Sequence, residues 1–97
     1  NMIEVYGAED SEGNSPLYIS FDGRILEIIL RSGMHTELAR YPINWLKKME
    51  IEDNGDKGRT LKYTMKFQAP VGFFTFVSGG ENLGELVDAV NSAINPF

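Results

Sequence analysis

Leu17-Tyr-Ile-Ser-Phe-Asp-Gly-Arg-Ile-Leu-Glu-Ile-Ile-Leu-Arg31 is the stretch that decides the fold class. Leu17, Ile19 and Phe21 alternate with Tyr18, Ser20 and Asp22, the period of two that sends successive side chains to opposite faces of a strand. Asp22-Gly23 then separates two apolar runs. That dipeptide predicts a tight hairpin, because a type I′ turn needs positive φ at both central residues. The return run, Arg24 to Arg31, is apolar on both faces except at Glu27, which predicts a central strand covered on both sides.

The same period continues outward from this hairpin. Ser32-Gly33 offers a second turn, and His35 to Tyr41 reads as a strand that ends or bulges at Pro42. Proline has no N–H for a ladder and holds the residue before it extended. Ile43 to Leu46 reads as one irregular turn. Lys47 to Asp53 alternates, with Met49 and Ile51 inward, and Asn54-Gly55 opens a loop lengthened by Asp56, Lys57 and Gly58. The return strand is the clearest in the chain: Leu61, Tyr63, Met65 and Phe67 point inward, and Thr60, Lys62, Thr64, Lys66 and Gln68 outward. Pro70-Val71-Gly72 turns again into Phe73 to Ser78. In the other direction, Met2 to Tyr6 is a short apolar strand, joined by an acidic, small-residue loop from Gly7 to Pro16.

Near the C-terminus the period changes to about 3.6. Leu83, Leu86, Val87, Val90 and Ile94 make one helical stripe, opposite Glu85, Asp88, Asn91, Ser92 and Asn95. Asn82 is the expected N-cap, with Glu85 as its capping-box partner, and Pro96 marks the end. The stripe is expected to bury Leu86, Val87, Val90 and Ile94 against Leu61, Tyr63, Phe74 or Phe76.

At 97 residues and 10.9 kDa the chain has room for one domain, residues 1–97, burying roughly 65% of its surface on folding. Met2 reads as the natural start and Asn1 as a tag remnant. With no signal peptide visible and no apolar run near ~20 residues, the expected compartment is the cytoplasm. A net charge of −5 and a pI near 4.7 argue against nucleic acid as a partner. Zero cysteines remove disulfides, thiol catalysis and cysteine-held metal, and the single histidine, His35, removes any multi-histidine metal site. No cofactor or metal is expected. Asp53 starts a loop resembling a calcium site, but its twelfth residue is Thr64 rather than a bidentate Glu, so the pattern fails. Gly79-Gly80 lacks the rest of a phosphate-binding motif and is followed by Glu81.

Phe21-Asp22-Gly23, Tyr41-Pro42-Ile43, Asn54-Gly55, Phe74-Thr75-Phe76 and the Leu83 to Ile94 helix follow one another in an order that resembles the small bacterial pleckstrin-homology-like (PH-like) domains of unknown function. The resemblance covers residues 17–97. It implies a mainly β fold: a roll or barrel of six or seven antiparallel strands, in two orthogonal sheets, closed by one C-terminal amphipathic α-helix. Relatives that bind phosphoinositides do so with basic residues flanking the first hairpin turn, where this chain has only Arg24 beside Asp22.

Cations concentrate in the middle of the chain. Residues 31–66 carry eight bases and five acids, against one base and six acids before them and no base and three acids after. Lys62 and Lys66 share an outward strand face, and form either a solvated polar face or an anion-binding patch. Trp45 reads first as core material and second, with Tyr41, as the wall of a peptide groove. His35 has Ser32, Thr36 and Glu37 near it in sequence, but Thr36 points to the opposite strand face, and His35 reads as a surface or hairpin-end residue. The expected function is therefore a non-enzymatic intracellular interaction module whose partner is protein or a second copy of the chain. The alternative is an anionic-ligand or lipid-headgroup binder, for which a membrane partner is disfavoured by the net charge. The edges open to a second copy are Met34 to Tyr41, blunted by Arg40 and Pro42, and Met2 to Tyr6, which is the expected dimer strand.

Overall fold

The hairpin at Asp22 forms, but over a different turn. Phe21 pairs with Leu26, and the chain reverses over Gly23-Arg24, where only Gly23 has positive φ (99°). That is the φ pattern of a type II′ turn, which needs glycine at its first central residue only. Asp22 lies before the turn and organises it: its Oδ1 accepts the N–H groups of Arg24 and Ile25, both at 2.8 Å. Those donors, Ile25 first, hold the Asp22 carboxyl below the usual carboxylate range.

The structure is a computed structural model and describes residues 2–8, 15–67 and 72–95. Among these residues the strands are β1 (Ile3–Tyr6), β2 (Leu17–Phe21), β3 (Ile25–Ser32), β4 (His35–Pro42), β5 (Leu46–Asp53), β6 (Arg59–Met65) and β7 (Gly72–Phe76), followed by α1 (Leu83–Ile94). They form two antiparallel sheets, in the orders β1-β2-β3-β4 and β5-β6-β7. The expected Pro96 helix stop, Pro70 and Val71 of the expected Pro70-Val71-Gly72 turn, and the acidic residues 9–14 lie outside the described residues. Between the sheets, Ile43–Trp45 make the expected irregular turn, a 3₁₀ turn.

One face of each sheet meets the other across the core. Ile19, Leu26, Leu46, Leu61, Leu83, Leu86, Val5 and Val90 are the largest side chains shut off from solvent. The expectation that β3 is covered on both faces does not hold. Leu26 and Ile28 are buried inward, whereas Ile25, Glu27 and Ile29 on the outer face remain partly exposed. Strand β6 ends at Met65, not Gln68, and among the described residues its last bond to the β5 side is the Lys66 N–H to the Trp45 carbonyl at 2.8 Å. Phe67, expected inward, is therefore exposed.

Helix α1 buries Leu83, Leu86 and Val90 and leaves Val87 and Ile94 half-buried. It packs chiefly on β5, and then on β1, β2 and the 3₁₀ turn, rather than on β6 and β7 as expected. Asn91 explains this placement. Its Oδ1 accepts the Met49 N–H at 3.0 Å and its Nδ2 donates to the Met49 carbonyl at 2.7 Å, so one side chain covers the outer edge of β5. The capping box does not form. Asn82 makes no side-chain cap and instead donates from Nδ2 to the Glu4 carbonyl at 3.1 Å. With Gly80 N–H donating to the Tyr6 carbonyl at 2.8 Å, the segment entering α1 covers the outer edge of β1. Within the expected dimer strand Met2 to Tyr6, residues Ile3–Tyr6 thus pair with β2 of their own chain on one side and meet the helix entry on the other.

Candidate functional site

Strand register brings four residues, one from each strand of the larger sheet, into a single row. Tyr6 pairs with Tyr18, Tyr18 with Ile29, and Ile29 with Leu38. All four stand on the outer face, because the residues beside them, Val5, Ile19, Ile28 and Ala39, form the inward row. The row is open to solvent at both ends, with Tyr6 54% and Leu38 60% exposed. The rings of Tyr6 and Tyr18 lie 5.1 Å apart at 56°.

A second row, Glu4, Ser20, Glu27 and Arg40, flanks it on the same face. The Tyr18 hydroxyl donates to Glu4 Oε2, and Arg40 Nε lies 3.3 Å from Glu27 Oε2. Partial burial, and then the Glu4 hydrogen bond, push the Tyr18 hydroxyl pKa up. The face is therefore an apolar band rimmed by internally paired polar groups. It can exclude water against a complementary surface without stranding a charge.

The residues singled out from the sequence do not converge on one site. Tyr41 faces inward on β4, where its ring is 6.1 Å from Tyr63, itself stacked on Phe74 at 6.2 Å. These rings line a seam of about 260 Å³ between the sheets, with Ile28, Leu30 and Ala39. Burial, and the nearby Tyr41 hydroxyl, raise the Tyr63 pKa to about 12. Trp45 is not among the residues lining this seam. It ends the 3₁₀ turn and is 46% exposed, so the core role read first for it does not hold. The turn aims its backbone carbonyl at Lys66 while the indole stays outside the core. Lys62 lies on the outer face of β6 and forms an ion pair with Glu52, whose hydrogen bond and charge raise the Lys62 pKa. Lys66 lies past the end of β6, so the two lysines do not share one strand face.

Other cations are also engaged. Arg59 donates to the carbonyls of Gly79 and Gly80 at 3.3 and 3.0 Å, and Lys48 lies 3.8 Å from Glu50. His35 stands exposed opposite Ser32 at the tip of the β3–β4 hairpin. Among the described residues no group of three acidic or histidine side chains could hold a metal ion. No helix among them is long and apolar enough to cross a membrane.

The sequence reading missed the row. Alternation makes Tyr18 the polar partner on its strand, and a run apolar on both faces makes Ile29 a buried residue. The available signal was apolar content at the outward positions of β2 and β3 together, since a one-sided antiparallel strand carries polar residues there. In comparisons with known proteins, the chain matches no family model, no curated protein and no solved structure.

Proposed function

We propose that the chain is a non-enzymatic interaction module of PH-like architecture that works inside the cell by binding protein. Its contact surface is the outer face of the four-stranded sheet. The observation that carries this reading is the cross-strand row Tyr6, Tyr18, Ile29 and Leu38, apolar where a solvated sheet face is polar. Tyrosine is enriched at protein contacts because its ring brings area at low entropic cost and its hydroxyl stays wet. The architecture is supported by the four-plus-three strand order with one C-terminal helix between the sheets. Protein is favoured over an anionic headgroup because Arg40, Lys48, Arg59 and Lys62 are each engaged within the chain.

The test uses the intact chain as bait in lysate of its source cells, beside an Ile29→Glu variant whose fold is checked by circular dichroism. A partner identified by mass spectrometry that wild type retains and Ile29→Glu loses supports the reading. Equal retention by both removes the assigned face. Sedimentation with anionic vesicles at about 0.15 M salt, lost on Lys62→Gln and Lys66→Gln, would replace protein with a lipid headgroup as the ligand.

A further inference from the structure

We infer that a second copy of this chain pairs antiparallel with the outer edge of β4, with Leu38 of each copy facing the other across a two-fold axis. The inference goes beyond the protein-binding reading above: it assigns a second surface, the open edge of β4, and its occupant. An edge strand presents a row of unpaired main-chain groups that another strand can use. In this fold α1 and the segment entering it cover two such edges, β1 through Gly80 and Asn82 and β5 through Asn91. No described residue covers the edge of β4. Both faces of the β3–β4 hairpin are exposed from Arg31 to Leu38, and Met34 at its tip is fully exposed.

The ladder shows which groups face outward. Ile43 N–H donates to the Arg24 carbonyl, so the odd-numbered residues of β4 are the ones bonded to β3. By alternation Thr36, Leu38 and Arg40 direct their N–H and C=O groups to the open edge, while Pro42 has no N–H to offer. A two-fold axis perpendicular to the sheet can pass through one of these three residues or, at a non-hydrogen-bonded pair, through Glu37 or Ala39. At Glu37 it would oppose like charges at the closer spacing, and at Ala39 it would set Thr36 against Pro42, which has no N–H, and Leu38 against Arg40. At Arg40 it would oppose like charges and set Leu38 against Pro42. At Thr36 it would set Leu38 against Met34, in the turn rather than in a strand. At Leu38 it opposes Leu38 to itself and Thr36 to Arg40 of the second copy, and every outward group finds a partner.

Two further observations favour a second copy as the occupant. The Leu38 register continues the row Tyr6, Tyr18, Ile29 and Leu38 into the same row of the second copy, giving one apolar band across eight strands. The charges around the edge also balance: Glu27 pairs with Arg40, leaving Arg31 and Glu37 of opposite sign, although the whole chain carries −5. Local repulsion is therefore small where the copies meet. A single strand pair buries less than the roughly 1,200 Å² of a stable complex, so the dimer is weak, with a dissociation constant in the micromolar range.

The experiment is sedimentation of the full chain from about 5 to about 500 µM, beside Leu38→Asp, which places like charges on the axis. Wild type should convert from monomer to dimer across this range, and Leu38→Asp should weaken the dimer at least about tenfold. Because the chain has no cysteine, Leu38→Cys gives a second readout. Opposed residues in a hydrogen-bonded antiparallel pair lie ~5.5 Å apart at Cα, within disulfide reach. Mild oxidation should link Leu38→Cys chains much faster than chains carrying Lys57→Cys. Wild type that stays monomeric, a Leu38→Asp dimer of unchanged affinity, or linking at equal rates would each overturn the pairing. A monomeric chain that still captures an Ile29-dependent partner would overturn the dimer and leave the docking face standing.

Discussion

Replacing Asn91 by alanine tests whether α1 is held on β5 by its amide or only by its apolar stripe. Asn91 makes two hydrogen bonds to Met49, at 3.0 and 2.7 Å, in a partly buried position. Each is worth about 1 kcal/mol net, and the loss rises toward about 3 kcal/mol if the freed groups stay dry. Alanine is the better helix former and returns about 0.5 kcal/mol. The expected destabilisation is therefore about 1.5 kcal/mol, a sizeable part of a total of about 5–10 kcal/mol. Urea denaturation at equal slope should show the midpoint falling by about 1 M, given slopes near 1–2 kcal/mol/M for a chain this size. Exposed Ser92→Ala on the same helix should stay within about 0.5 kcal/mol. Native-state hydrogen exchange should speed up at the Met49 amide in the Asn91 variant. A loss below about 0.3 kcal/mol with Met49 exchange unchanged would refute the anchoring role.

Leu86→Ala, at a fully buried position on the helix stripe, should cost about 2–5 kcal/mol in the same denaturant assay. Gly58→Ala should cost about 2 kcal/mol or more. Gly58 has φ +92°, and a Cβ there would lie 2.4 Å from the Phe76 carbonyl, so both strain and collision oppose it. The Tyr63 pKa is raised by burial to about 12, above its unfolded value of 10.0. Its contribution to stability is therefore fully present below pH 10.0 and lost as pH rises toward 12, as denaturant midpoints and phenolate absorbance should record. Tyr63→Phe should flatten that alkaline decline.

Much of the fold was legible because its signals are local. Period-two alternation marked β2, β5 and β6, a short run apolar on both faces marked β3, and a helical stripe marked α1, since a strand or helix face is written into one short run of residues. Pro42 marked the end of β4 for the same reason, as one ring both removes a donor and fixes a dihedral. The candidate face was mostly illegible. Only residues near it, Arg40 and Tyr41, drew notice, and Tyr41 points inward to the seam with Tyr63 and Phe74. Tyr6, Tyr18, Ile29 and Leu38 are far apart in sequence, and only strand register makes them neighbours.

The same division separates the remaining differences. Asn91 sits on the polar side of the helical stripe, and the sequence alone reads it as solvated. It becomes an anchor because β5 presents its unpaired Met49 groups to it. Asn82 has the chemistry of an N-cap, yet the Glu4 carbonyl takes its amide instead. Phe67 continues an inward alternation, but β6 ends at Met65 and leaves it exposed. From sequence alone, then, the elements, their apolar faces and most of the turns were determined, because each depends on residues within a few positions of one another. Tertiary structure alone decided which edges are covered, which outward apolar residues form one surface and where Trp45 lies. Those outcomes depend on which distant segment competes for a given hydrogen bond or patch of surface.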